Sequence, residues 1–276
     1  MVDSRPESSD VSPETIAKLP VRELVSAGYR GLFRDWRAFV ASAWPWWVVL
    51  LLLTFGIEAF ADPGLRSITG AIVALVLWTV AGAVFLVGWH RHVLLGEAVA
   101  GRASLHFGRR ELRFLVTGIL FYLVLVAPMV AIGLFVGILG PAVAGTVLDR
   151  VLAFGPVAAL AIMIIVAPRL SLAFPMVALD APGRPLATAW QLGRGQTWRL
   201  FGGALLVIVP FGLVEHTLDK GIEALTRVPY MAALGYGLTL AWVVVFFANF
   251  AVAVGFVSHA YARLTSHPLP PAPDQS

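Results

Sequence analysis

Long apolar runs, separated by short stretches rich in arginine, set the elements to expect. A helix that crosses a bilayer needs about 20 apolar residues at roughly 1.5 Å of rise each. Trp44–Ile57, followed by Glu58, Ala59 and Phe60, is a short first span, and Ile68–Trp89 is a clean second. Phe114–Gly140 is the third, with Pro128 inside it, and Val151–Leu179 is the fourth, broken only by Arg169. Leu200–Val214 is a short fifth that needs Thr197–Arg199 to reach across, and Tyr230–Tyr261 is a sixth, longer than it needs to be. The pattern predicts an all-α polytopic integral membrane protein with six transmembrane helices.

Two amphipathic segments lie outside these runs. Over residues 23–40, Val25, Tyr29, Leu32, Phe33, Trp36, Phe39 and Val40 share one face at 3.6-residue spacing, and Arg30, Arg34 and Arg37 share the opposite face. That pattern fits a cytoplasmic interfacial helix whose arginines meet anionic head groups, and equally a helix packed on the cytoplasmic end of the bundle. The second segment is PLATAWQLGRGQTWRLF, in which Leu186, Ala189, Trp190, Gly193 and Thr197 fall on one face and Gly195 breaks or caps the helix. Before it, Pro182-Gly183 predicts a type II turn.

The fourth run carries VAPRLSLAFP, a charge between two helix breakers. Pro168 and Pro175 each remove a backbone donor, freeing the carbonyls of Ile164 and Ser171. In lipid such carbonyls need partners. The Arg169 guanidinium has five donors, and the prediction is a kinked span with Arg169 turned inward onto main-chain carbonyls or polar side chains. Asn249, Ser171 and Ser258 are the candidate partners. A ligand-binding reading groups Arg169, Asn249 and Ser171 as a polar site for an anionic head group; a structural reading has Arg169 tie a broken helix to its neighbours. The carboxylates Glu58, Glu97, Asp180 and Glu215 all fall at the ends of the predicted spans, which argues against an ion-coupled pump.

Composition agrees with a lipid solvent. Hydrophobic residues make up 59% of the 276, charged residues 13%, and mean hydropathy is +0.84. Soluble domains carry about 25% charge. Arginines crowd the N-terminal region, the second loop (Arg91, Arg102, Arg109, Arg110, Arg113) and the fourth (Arg184, Arg194, Arg199), whereas the alternate loops hold Arg66, then Arg150, then Lys220 and Arg227. The positive-inside rule then places both termini in the cytoplasm. This bias also accounts for the net charge of +4, so nucleic acid is not an expected partner. Lys18 and Lys220 are the only lysines, which together with the lack of eukaryotic targeting signals points to a bacterial inner membrane. Residues 1–20 read as a disordered cytoplasmic tail rather than a signal peptide, 21–265 as the transmembrane domain and 266–276 as a Pro-rich cytoplasmic tail.

Catalytic signals are missing. The chain has no cysteine, hence no thiolate nucleophile or Cys-ligated metal, and no HExxH, phosphate-binding loop or GxSxG motif. His90 and His92 stand two apart and point to different sides of a helix, so neither a metal nor another cofactor is expected. Trp36, Trp44, Trp46, Trp47, Trp89, Trp190 and Trp198 fall at span ends as an aromatic belt, with Trp78 and Trp242 deeper. Gly133 and Gly137 form a GxxxG pattern that marks close helix packing or arises by chance.

PRLSLAFPMVALD followed by ATAWQLGRGQTWRLFG resembles one bacterial membrane family. It is the six-helix domain fused to some glycerophosphoryl diester phosphodiesterases, with its YciC-like stand-alone relatives. The resemblance is sharpest over about residues 165–205. It implies a six-helix fold without established chemistry, since the hydrolase activity of the fused proteins belongs to a separate barrel domain that these residues do not encode. The expected function is a non-enzymatic scaffold or accessory factor in envelope upkeep, with a membrane-protein partner or homo-oligomer. A carrier of lipids or other amphiphiles using Arg169 is the alternative, and a membrane-embedded enzyme the third.

Overall fold

A computed structural model describes residues 18–60, 69–98, 106–143, 146 and 154–270. Most of both tails, together with Arg66, Arg102 and Arg150, lies outside them. The described residues are helical, with no strand among them. In chain order the helices are α1 (Val21–Arg34), α2 (Trp36–Phe60), α3 (Thr69–Leu95), α4 (Arg109–Val143), α5 (Gly155–Leu170), α6 (Ala173–Ala178), α7 (Pro185–Leu192), α8 (Thr197–Thr226) and α9 (Ala232–Thr265). A single 3₁₀ turn, Pro229–Met231, joins the last two.

Five stretches are long and apolar enough to cross a membrane: Ile72–Leu95, Arg109–Ile138, Leu160–Ala178, Thr197–Thr226 and Ala233–Thr265. The architecture is that of an all-α multi-pass membrane protein. The expected sixth, at Trp44–Ile57, lies in α2, where the apolar stretch Trp36–Leu52 is shorter than the other five. The fifth run was underestimated, because Glu215 does not end it: α8 continues to Thr226.

Helix α9 is the hub. It packs against α8, α1, α3 and α2, and buries Phe247, Ala251, Val252, Phe256 and Ala260. Phe85 and Trp89 of α3 stack with ring centroids 6.1 Å apart, and Phe39 of α2 meets both edge-on. Trp89 is therefore a core residue and not part of an interfacial belt; its indole N–H donates to the Ala251 carbonyl at 2.9 Å. Trp46 is buried too. Trp78 and Trp242 meet edge-to-face around Phe246. Helix α4 sits at the periphery, with only 6% of its apolar stretch buried against 39% in α9. Its Gly133 and Gly137 have open space where side chains would stand, so the GxxxG pattern makes no close helix contact within the bundle.

The predicted amphipathic helix over 23–40 divides at Asp35. Arg30 and Arg34 lie on α1, and Arg37 opens α2. Leu24, Gly28 and Leu32, four residues apart, form the buried stripe of α1 against α8 and α9, whereas Phe33 and Trp36 are 72% and 54% exposed. The crossing is close because Gly28 meets Gly255: a Cβ at Gly28 would stand 2.8 Å from the Val252 carbonyl oxygen. The stretch before α1 is also tied down. Leu19 N–H donates to Gln196 Oε1 at 3.3 Å, and Arg199 donates to the Leu19 carbonyl at 3.1 Å.

Candidate functional site

The fourth run does break between its prolines. Helix α5 ends at Leu170, Ser171 and Leu172 form a turn, and α6 begins at Ala173. The local backbone tightens to three-residue bonds, Leu172 N–H to the Arg169 carbonyl and Phe174 N–H to the Ser171 carbonyl, at 3.3 and 3.2 Å. The carbonyl that Pro175 leaves without its helical donor is thus satisfied within the turn. Ser171 Oγ donates to the Pro168 carbonyl at 2.8 Å.

Arg169 is consequently not used on freed carbonyls, contrary to the sequence expectation. Its Nε donates to Thr197 Oγ1 at the first residue of α8. Its guanidinium carbon lies 4.6 Å from the centroid of the Trp190 ring, a cation–π contact. Its stem crosses Gly193, where an added Cβ would come within 2.9 Å of Arg169 Cγ. The ATAWQLGRGQTWRLFG segment thereby closes over the arginine of PRLSLAFP: Trp190 covers it, Gly193 makes room and Thr197 accepts its hydrogen bond. Gly195 then turns the chain at φ +75° into α8.

The predicted partners stand elsewhere. Asn249 of α9 donates to Glu215 Oε1 of α8 at 3.1 Å, so a carboxylate does occur inside a spanning helix. Ser258 of α9 pairs with His90 Nδ1 of α3 at 2.8 Å, both groups buried. Arg169, Asn249 and Ser171 each bond to other groups and share no hydrogen bond with one another among the described residues.

Charge gathers instead at the end of the bundle shared by α1, the C-terminal end of α3 and the start of α4. Asp180 has left-handed backbone (φ +54°) where α6 stops, with Ala181 N–H reaching back to the Met176 carbonyl at 2.9 Å. Its carboxylate takes Arg110 Nε at 2.7 Å and an Arg113 terminal N–H at 3.3 Å. Arg91 forks onto Glu97 and also donates to the Ala178 carbonyl at 3.1 Å. His92 lies between Asp35 Oδ2, at 3.4 Å, and the Glu97 carbonyl, at 2.9 Å. Burial pushes the Asp35 carboxyl up, but the hydrogen bond and charge of Arg34, with help from His92, hold it below the ordinary carboxylate value. Arg30, Arg34 and Arg37 are exposed on this end, Arg34 paired with Asp35 and Arg37 5.7 Å from the Trp36 ring.

A cleft of about 230 Å³ opens here between α2, α3 and the start of α4. Val84, Phe85, Val87 and Gly88 line it on the apolar side; Ser42, Arg91, Glu97, His106, Arg110 and Glu111 line it on the polar side. Sequence reasoning missed this site. Its one local signal was the spacing Gly108-x-x-Glu111, in which Glu111 Oε2 accepts the Gly108 N–H at 2.8 Å and caps α4. Among the described residues no group of three His, Asp or Glu side chains is placed to hold a metal.

Compared with protein-family models, with curated proteins and with solved structures, the chain matches none.

Proposed function

We propose that the chain is a non-enzymatic accessory or scaffold protein of a bacterial inner membrane, crossing it six times with both termini in the cytoplasm. The observation that carries this reading is the Arg169 clamp. The charge in the fourth run is enclosed by Trp190, Gly193 and Thr197, and it holds α5, α7 and the start of α8 together. The polar pairs Asn249–Glu215 and His90–Ser258 likewise join helices to one another. Six crossings take α2, 25 residues long, as the first span. The cytoplasmic assignment of the charged end follows from its arginines. Kinship with the stand-alone six-helix family is part of the proposal and rests on the two segments that meet at Arg169.

Native mass spectrometry of the protein released from nanodiscs tests the role, with proteins and lipids identified together. A scaffold retains a membrane-protein partner, or a second copy, in fixed stoichiometry. A chain released alone, with lipids that exchange freely, supports the second reading: a carrier or binder of amphiphiles. The cleft lined by both apolar and charged groups favours that alternative.

A further inference from the structure

We propose that the cleft between α2, α3 and α4 holds the head group of an aminophospholipid, a phosphodiester that carries a primary ammonium. This goes beyond both roles above, since a resident lipid fits a scaffold and a carrier alike.

The lining is divided by chemistry. Its apolar wall is Val84, Phe85 and Val87 of α3, each no more than 5% exposed. Its polar wall carries two guanidiniums, Arg91 and Arg110, and two carboxylates, Glu97 and Glu111. Arg110 places Nε on Asp180, and its two terminal nitrogens make no bond among the described residues. They form a fork suited to phosphate oxygens. Glu111 is only 8% exposed, yet one of its oxygens makes no bond among the described residues. That oxygen is not sealed off from its surroundings, so it is free to accept from a donor on a ligand in the cleft.

The signs decide the ligand class. Arg91 and Glu97 already close on each other, which leaves the Arg110 terminal nitrogens and the second Glu111 oxygen for a ligand. A purely anionic head group meets Glu111 unfavourably, and a purely cationic one meets Arg110 unfavourably. A phosphate and an ammonium on one small frame satisfy both. The ammonium must carry N–H bonds, because Glu111 accepts hydrogen bonds and a trimethylammonium has none to give. The apolar wall and the position at the end of two spanning helices assign the source to a lipid rather than to a soluble phosphoamine.

The test uses the full-length protein in nanodiscs with equal amounts of phosphatidylethanolamine, phosphatidylglycerol and phosphatidylcholine. Retained lipid is read by native mass spectrometry, and free phosphoethanolamine is added as competitor in a separate arm. The expected result is retention of one phosphatidylethanolamine about tenfold over phosphatidylcholine, the size of one charge-assisted hydrogen bond. Millimolar phosphoethanolamine should leave that retention unchanged; displacement by it would reassign the site to a soluble ligand and overturn the lipid proposal. Glu111→Gln keeps the cap on Gly108 N–H, because glutamine also serves there. It should erase the preference while the thermal midpoint holds. Preferential retention of phosphatidylglycerol, an unchanged preference in Glu111→Gln, or no retained lipid would each refute the proposal. The wild-type lipid competition decides by itself if the variant does not fold. Loss or gain of a protein partner in the same spectra bears on the scaffold reading alone.

Discussion

Arg169 has a stem over Gly193, a face under Trp190 and a donor on Thr197, so three separate contacts fix one side chain. Replacing it with methionine keeps the stem and removes the charge and all donors. A part-buried cation–π contact is worth about 0.5–2 kcal/mol, and a hydrogen bond from a charged group about 1.5–3 kcal/mol. Arg169→Met should therefore destabilise the fold by about 2–5 kcal/mol, read as a fall in thermal midpoint in detergent. Trp190→Leu should lose part of the same energy, and the double variant should lose less than the sum, because the two groups touch. Additive losses would mean that the guanidinium gains nothing from the ring. Asp35 supports a pH prediction. Its folded carboxyl titrates below the unfolded one, so its contribution is complete above about pH 4, the unfolded value. That contribution should fade as pH falls further, and Asp35→Asn should flatten the acid limb of a stability profile. VAPRLSLAFP showed that the helix had to break and that its arginine had to turn inward. It did not show where the guanidinium would go, because Trp190 and Thr197 lie on a later helix whose docking no spacing rule specifies. The expectation that freed carbonyls would need the arginine failed at Ser171 for a local reason: the turn satisfies that carbonyl with a three-residue bond from Phe174 N–H.

At the scale of elements, α1 is the instructive case. Its arginines were placed outward and remain outward, but sequence left open whether its apolar stripe met lipid or protein. Leu24, Gly28 and Leu32 meet α8 and α9, and Gly28 is the residue that permits close approach. Periodicity weights apolar side chains, so a glycine at the centre of the contact was invisible to it. It also assigned Phe33 and Trp36 to the buried face, although the chain bends at Asp35 and leaves both exposed. Gly28→Leu should push α1 from α9, because the added atoms meet backbone that cannot move aside cheaply. The expected loss is about 1–3 kcal/mol or more, with faster proteolysis after Arg22 and Arg30. Unchanged cleavage would place the stability of α1 elsewhere. Gly203→Ala applies the same logic to α8, whose glycine faces the Phe256 ring.

Across the whole molecule, five of the six runs expected from hydropathy fall on stretches long and apolar enough to cross a membrane, and their ends were misjudged. Glu215 looked like a terminus because a carboxylate in lipid is costly, but Asn249 on the neighbouring helix supplies a donor. Such a pair is a tertiary fact with no trace in either run alone. The cleft is similar: the sequence reads Arg91 and Arg110 as loop charges and Glu97 as a span end and does not single out Glu111, and only their assembly around α3 makes a cavity. For the proposed topology, reporter fusions at Gly183 should read cytoplasm and those at Asp219 periplasm. One reversed reading would break the six-span scheme.

The docking of α1 on the last helix also dictates an order of events during synthesis. Helix α1 is made first, yet the Gly255 surface that receives it belongs to α9. At about 5–20 residues per second, the wait between the two is on the order of ten to forty seconds. Throughout that interval α1 has an apolar stripe and no protein to cover it. A nascent chain in that state has one suitable resting place, the membrane surface, with Arg30 and Arg34 toward the head groups. On the proposed topology, the amphipathic pattern of α1 would serve two successive environments, first the lipid interface and then its seat against α8 and α9. Ribosome-bound chains arrested before α9 should expose α1 to lipid-reactive probes from which the finished protein shields it.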